Sequence, residues 1–246
     1  MQPYIIRHAQ SENNAIWTST GSDNGRVPDP VLTKIGHRQA RIMAEYIQQV
    51  DVDTAVTPDD PYNHQGFHLT HLYCSLMRRA VQTGTYLSRA LDLPLVAWPV
   101  IHEGGGIYEK NATGERVGLP GPNRAYFAQY HPELRLPEEL DEAGWWNRPV
   151  ETWEEMPGRA QRFLDELYAR HGDSDDRVAI VTHGGFYYAF FSVLLDFWRT
   201  KVDFGGELPI WFKVFNTSIT RIDFNDDHVS IIYLNRADFL PPELLT

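Results

Sequence analysis

Arg177-Val178-Ala179-Ile180-Val181-Thr182, followed at once by His183-Gly184-Gly185, is the stretch on which the fold turns. Four consecutive apolar residues end in a polar one and run directly into a glycine pair. That form reads as a short buried strand feeding a helix. Tyr4 to Arg7 and Leu69 to Ser75 repeat it. Between these runs lie helical patterns. Leu32 to Val50 places Ile35, Ile42, Met43, Tyr46, Ile47 and Val50 at helical spacing, with Thr33 as its N-cap. Leu76 to Leu91, Pro157 to His171 and Gly185 to Trp198 read the same way.

Strands alternating with helices require right-handed crossovers, a mostly parallel sheet and helices on both of its faces. The expected fold is therefore an α/β three-layer sandwich. The C-terminal part departs from the alternation: Ile210 to Phe215, Thr217 to Phe224 and Val229 to Leu234 are closely spaced strand-like runs. Asn225-Asp226-Asp227 supplies a turn between the last two, so a C-terminal hairpin should complete the sheet. Thr18 to Val31, Asp51 to Gln65 and Glu103 to Glu151 are rich in Gly, Pro, Asp and Asn and read as loops over a site. The last contains a short helical candidate, Arg124 to Tyr130, but no long apolar periodicity. It reads as a loop-rich insertion at about 103–151 within a single domain spanning 1–246.

Composition narrows the function. The chain has 246 residues, 42% of them hydrophobic, which is ample for a packed core. A formal net charge of -11 argues against extended contact with nucleic acid or an anionic membrane. An anionic substrate must then be held by a local cationic site. The single cysteine, Cys74, has no internal disulfide partner and falls in an apolar run, where a buried thiol is expected. Met1 leads straight into Pro3-Tyr4-Ile5-Ile6 without the features of a signal peptide, so a cytoplasmic location is expected.

In a parallel α/β sheet, ligands bind beyond the carboxyl ends of the strands. Three such ends carry Arg7-His8, Ser75 to Arg79, and His183-Gly184-Gly185. Two histidines and two arginines, distant in sequence, should therefore meet. His64, His68 and His71 invite a metal reading, but no carboxylate or cysteine completes a recognised ligand spacing near them. No metal and no cofactor is expected.

The residues and their order resemble the histidine phosphatase superfamily, which includes the cofactor-dependent phosphoglycerate mutases. Arg7-His8-Ala9-Gln10-Ser11 with Asn14 is similar to its R-H-G-x-S/T-x-x-N signature, with Ala9 where glycine is commoner. Leu32-Thr33-Lys34-Ile35-Gly36-His37-Arg38-Gln39-Ala40 resembles its L-T-x-x-G-x-x-Q-A segment. Ser75 to Thr83 matches S-x-L-x-R-A-x-Q-T, Val181 to Gly185 its second-histidine motif, and Asn216 to Thr220 its closing strand. The acid region is shorter than the family pattern by one residue, at Ile101-His102-Glu103-Gly104-Gly105-Gly106.

The resemblance implies a reaction at a phosphate monoester. A dianion repels anionic nucleophiles, whereas a neutral imidazole can attack it, and a phosphohistidine divides the transfer into two steps. His8 is the expected nucleophile. Arg7 and Arg79 would hold the phosphoryl oxygens, and His183 would add a hydrogen bond beside a helix N-terminus opened by Gly184. Asn14, Gln10 and Ser11 are further candidate phosphate contacts. Glu103 is the candidate proton donor to the leaving group, with Glu109 behind it. Trp145-Trp146 could line a substrate pocket or anchor the insertion; anchoring is the default for an unplaced aromatic pair.

Three functions stay open at this level: a phosphomonoesterase, a phosphoglycerate mutase-type transferase, and a phosphate-binding module without turnover. The intact set of His8, Arg7, Arg79 and His183 argues against the module. Arg116 and Arg124 are isolated among prolines and glycines and do not form the mutases' arginine pair, which favours the phosphatase. The expected partner is a small phosphomonoester, with neither nucleic acid nor membrane; pairing of a C-terminal edge strand across a two-fold axis would make a homodimer.

Overall fold

A computed structural model describes residues 1–49, 60–196 and 212–246. The strands are β1 (Gln2–Arg7), β2 (His71–Cys74), β3 (Leu95–Ala97), β4 (Tyr108–Lys110), β5 (Arg116–Gly118), β6 (Leu134–Arg135), β7 (Arg177–Thr182), β8 (Ile219–Phe224) and β9 (Val229–Arg236). The helices are α1 (Glu12–Thr20), α2 (Lys34–Gln48), α3 (Arg78–Leu91), α4 (Arg124–Tyr130), α5 (Met156–His171) and α6 (Gly184–Leu194).

Seven strands form the main sheet in the order β6-β3-β2-β7-β1-β8-β9. From β6 to β1 every pairing is parallel; β8 and β9 join antiparallel, as the expected hairpin. The buried strands alternate their side chains between two cores. Tyr4, Ile6, Ala179 and Val181 face one core with Met43 and Ile47 of α2 and Val81 and Leu87 of α3. Ile5, Val178 and Ile180 face the other, with Phe163 and Leu167 of α5 and Phe186 and Phe190 of α6. Burial on both faces is why these strands read as unbroken apolar runs.

Several details depart from the sequence reading. Helix α1 lies where no helix was expected: Ser11 and Asn14 form a reciprocal cap, and the helix buries none of its residues, so it has no apolar stripe to detect. In α2 the inward face carries Gly36, Gln39, Ala40, Met43, Ala44 and Ile47, whereas Ile35 is exposed. Part of the 103–151 insertion joins the framework, since β6 is the sheet's edge strand and β4 and β5 make a separate hairpin. Residues 212–215 are not a strand, while Ile210 and residue 211 of that expected run lie outside the described residues. So do the expected helix ends at Val50 and Trp198 and positions 51–59 of the second loop. The remainder of that loop packs away from the site, with Asn63 bonded to Tyr4 and Tyr233.

Thr33 caps α2 by accepting from the Gly36 amide at 3.0 Å. A Cβ on Gly36 would lie 2.1 Å from the Gln10 carbonyl oxygen, so only glycine lets α2 press against the segment after β1. Among the described residues no helix is long and apolar enough to cross a membrane.

Candidate active site

The carboxyl ends of β1, β2 and β7 lie side by side, because β1 pairs with β7 and β7 with β2 in parallel register. His8, Ser75 and His183 are the first residues beyond those ends. The two imidazole rings stand 5.0 Å apart between centroids.

His8 is buried, and its ring nitrogens have different partners. Nδ1 lies 2.7 Å from the Ala9 carbonyl oxygen, which can only accept. The proton therefore belongs on Nδ1, leaving the Nε2 lone pair to accept from Arg79 Nε–H at 3.1 Å. Burial, with the guanidiniums of Arg79 and Arg7, holds His8 well below the usual imidazole range, so it is neutral near pH 7. The main chain is tied down around it. His8 N donates to the Thr182 carbonyl, and Asn216 Nδ2 donates to the His8 carbonyl at 2.8 Å. Ala9 N donates to the Thr83 hydroxyl.

His183 is the N-cap of α6 and is fully buried. Ser75 Oγ accepts from Met77 N and lies 2.5 Å from His183 Nε2. His183 Nδ1 is a buried atom with no hydrogen-bond partner among the described residues. Arg7 Nε is a buried donor likewise without a partner among the described residues, although its Nη1 donates to the Val214 carbonyl. Burial lowers the Arg7 guanidinium to about 10, with Glu103 opposing and Arg79 adding to the fall. Burial likewise lowers Arg79 and holds His183 well below the ordinary histidine value. Two buried nitrogens without partners, one of them in the Arg7 guanidinium, with the Arg79 guanidinium and a helix N-terminus beside them, form a site suited to an anion.

Glu103 lines the same cleft as His8 and Arg79, a space of about 230 Å³. Its Oε1 accepts from Gly104 N at 2.9 Å and lies against the start of α6, where a Cβ on Gly185 would approach it to 2.3 Å. The glycine pair after His183 thus makes room for the carboxylate. Behind Glu103, Arg159 donates to both oxygens of Glu151, at 2.5 and 2.7 Å, and to the carbonyls of Val100 and His102, fixing the loop from within. Trp146 is buried edge-on to His102, so the tryptophan pair anchors this region and does not line the cleft.

Not every expected residue reaches the cleft: Arg7, His183 and Gly184 stand outside its lining, as do Gln10 and Glu109. Gln10 is withdrawn: its side-chain carbonyl accepts from Thr33 Oγ1 at 2.6 Å and its backbone N–H donates to Gln39 Oε1. Glu109 is exposed on β4 and stands outside the lining. Ser11 and Asn14 do line the cleft, and Asn14 Oδ1 takes hydrogen bonds from Ser11 and Asn216, leaving Nδ2 as the end that can donate to a ligand. Gly184 sits beside Arg7 Nε. Asn13, Trp17, Ser22, Asp23, Arg26, Gly104 and Tyr108 complete the lining, so residues 22–26 of the expected 18–31 loop border the cleft, whereas 18–20 end α1. Arg26 was not singled out from the sequence, since a lone arginine in a polar loop carries no pattern. Asp29 was also missed; it receives the Arg78 amide and lies 3.9 Å from Arg79, and burial raises its carboxyl to about 6.

A family model, the histidine phosphatase superfamily (branch 1), matches residues 62–237. The chain belongs to the histidine phosphatase superfamily. With membership comes the superfamily's phosphomonoesterase-type chemistry, an enzymatic phosphoryl transfer. No curated protein matches this histidine phosphatase by sequence. Solved structures share its fold. A mycobacterial glucosyl-3-phosphoglycerate phosphatase complexed with VO3 is 18% identical with a TM-score of 0.56, covering 96% of this chain and 99% of that one. Phosphoserine phosphatase from Entamoeba histolytica, in complex with 3-phosphoglyceric acid, is 19% identical with a TM-score of 0.55, covering 98% and 99%.

One other histidine cluster, His71, His171 and Asp176, takes no part in this site. His71 opens β2 and Asp176 precedes β7, so the cluster lies at the opposite end of the sheet.

Proposed function

We propose that this histidine phosphatase hydrolyses small phosphomonoesters through a phosphohistidine on His8 Nε2. The observation that supports it is the ring's fixed polarity: Nδ1–H is spent on the Ala9 carbonyl, and Nε2 keeps its lone pair at the cleft. In the first step Nε2 attacks phosphorus, the N–P bond forms and the ester P–O bond breaks. Arg79 leaves the lone pair and, with Arg7, His183 Nδ1 and Asn14 Nδ2, holds the phosphoryl oxygens. Each such donor supplies about 3 kcal/mol of transition-state stabilisation. Glu103, as the general acid, gives a proton to the leaving alkoxide. In the second step Glu103 takes a proton from water, whose oxygen attacks phosphorus as the N–P bond breaks, releasing inorganic phosphate and restoring His8.

A mutase would return the phosphoryl group to a second oxygen of the substrate, which demands cationic side chains holding the acid throughout. Arg124 is committed to the carbonyls of Leu140 and Pro137 at 2.7 and 2.6 Å, and Arg116 packs on the Tyr108 ring outside the cleft lining. Neither is available, and beyond Arg79 the cleft lining among the described residues holds Arg26 as a single arginine and not a pair, which favours water as the acceptor. The test is a panel of phosphomonoesters including 3-phosphoglycerate, following free phosphate and phosphoglycerate isomers beside His8→Ala. Phosphate release abolished by His8→Ala is expected. Isomerisation without release would establish a mutase, and release that survives His8→Ala would refute the nucleophile.

A further inference from the structure

At the end of the sheet remote from the cleft, three ligand atoms converge from segments far apart in the chain. His71 begins β2, His171 is the last residue of α5, and Asp176 immediately precedes β7. Asp176 Oδ2 lies 2.8 Å from His171 Nδ1, and Oδ1 lies 3.5 Å from His71 Nδ1. All three ligand atoms fall within 4.8 Å of one another. The length of β7 separates them from His183, roughly 17 Å of strand.

Several features of this cluster exceed what packing requires. Two imidazoles and a carboxylate are a zinc donor set, three protein ligands with a position left open. Ligands about 2.1 Å from a tetrahedral ion stand about 3.4 Å apart, a separation bracketed by the two distances to Asp176. His171 carries the outer partner that metal-bound imidazoles use, since its Nε2 lies 3.1 Å from the Tyr73 hydroxyl. As the structure stands Nδ1–H donates to Asp176; a metal would take the place of that proton, leaving Nε2–H to donate to Tyr73. His71 is 42% exposed, which gives an ion a route in and open positions toward water. Thr70 Oγ1, now 2.9 Å from His71 Nδ1, has the Arg177 carbonyl at 3.2 Å as an alternative acceptor. The neighbouring cation, Arg170, is engaged with Glu166 and the Trp98 ring.

We propose that His71 Nδ1, His171 Nδ1 and the Asp176 carboxylate form a divalent-metal site of the zinc type, distinct from the phosphatase cleft, that clasps the α5–β7 connection to the start of β2. The sequence offers no ligand spacing for it because a hundred residues separate His71 from its partners. The fold supplies the proximity.

The test uses the full chain, freed of metal by a chelator and titrated with zinc alone by calorimetry, then with cobalt(II) followed by visible absorption. One saturable zinc per chain, an intense four-coordinate cobalt spectrum and a zinc-dependent rise in melting temperature are expected. His71→Ala should weaken zinc by about tenfold or more and abolish the rise, whereas His68→Ala should change neither. Because Asp176→Asn could impair folding, the half-exposed His71 carries the decision. Absence of saturable binding would overturn the proposal. So would binding that persists in His71→Ala, including binding lost in His8→Ala, which would put the zinc in the cleft.

Discussion

Acidification should unfold this protein through its own active site. His8, His102 and His183 are buried, and burial with the nearby guanidiniums lowers all three well below the ordinary imidazole value. An unfolded chain binds a proton at each near pH 6.5, whereas the native chain does not. The unfolded state therefore holds more protons, stability rises with pH, and its loss begins as pH falls below about 6.5. At about pH 5.5 each neutral imidazole costs about 1.4 kcal/mol relative to about pH 8, so the three together cost about 4 kcal/mol. Asp29 acts in the opposite sense. Its carboxyl, raised to about 6, takes up a proton in the native state first and returns about 1 kcal/mol over the same interval. The net loss from these four groups is about 3 kcal/mol, a large part of a typical domain's 5–15 kcal/mol. Urea unfolding at several pH values measures it. Removing one proton site by His102→Asn should make the loss smaller by about 1.4 kcal/mol, whatever that variant does to stability at high pH. An unfolding free energy flat between about pH 8 and 5.5, or an equal loss in the variant, would refute the assignment of neutral buried imidazoles.

Three further outcomes follow from particular contacts. Gly36→Ala sets a Cβ against the Gln10 carbonyl and should destabilise by about 1–3 kcal/mol in denaturant titrations, more than alanine's helix propensity returns. Asn216→Ala orphans the buried His8 carbonyl and removes a hydrogen bond from Asn14, for about 1–3 kcal/mol of stability, with a matching fall in kcat/KM. Glu103→Gln should slow hydrolysis of alkyl phosphates far more than of nitrophenyl phosphate, whose leaving group needs no proton; equal slowing of both would show that Glu103 is not the acid.

The sequence was informative where burial leaves a repeating mark. β1, β2 and β7 are unbroken apolar runs because both of their faces are covered, and α2 and α3 show their inward stripe. Their carboxyl ends then located His8, Arg79 and His183. What stayed hidden lacked such a mark. Helix α1 is held by a cap and covers no core, β3 and β6 are too short to show alternation, and β6 sits inside the insertion. Gln10 occupies a signature position, yet its role is to fasten the start of α2, a distinction drawn by Thr33 and not by residue type. Ser75 and Asn216 stood in recognised motifs, but their work, bonding His183 Nε2 and holding the His8 carbonyl, depends on partners about 108 and 208 residues away. Arg26, Asp29 and Tyr108 reach the site only through loop folding.

Transfer of the phosphoryl group to His8 Nε2 is the step on which the proposed reaction turns. Mixing the enzyme with a phosphomonoester, quenching within one turnover in alkali, where phosphohistidine survives, and mapping the modified peptide by mass spectrometry tests it most directly. One phosphate on His8 is expected, absent in His8→Ala and accumulating when Glu103→Gln slows its hydrolysis. Phosphate on another residue, or full turnover with no phosphoenzyme at any quench time, would contradict it.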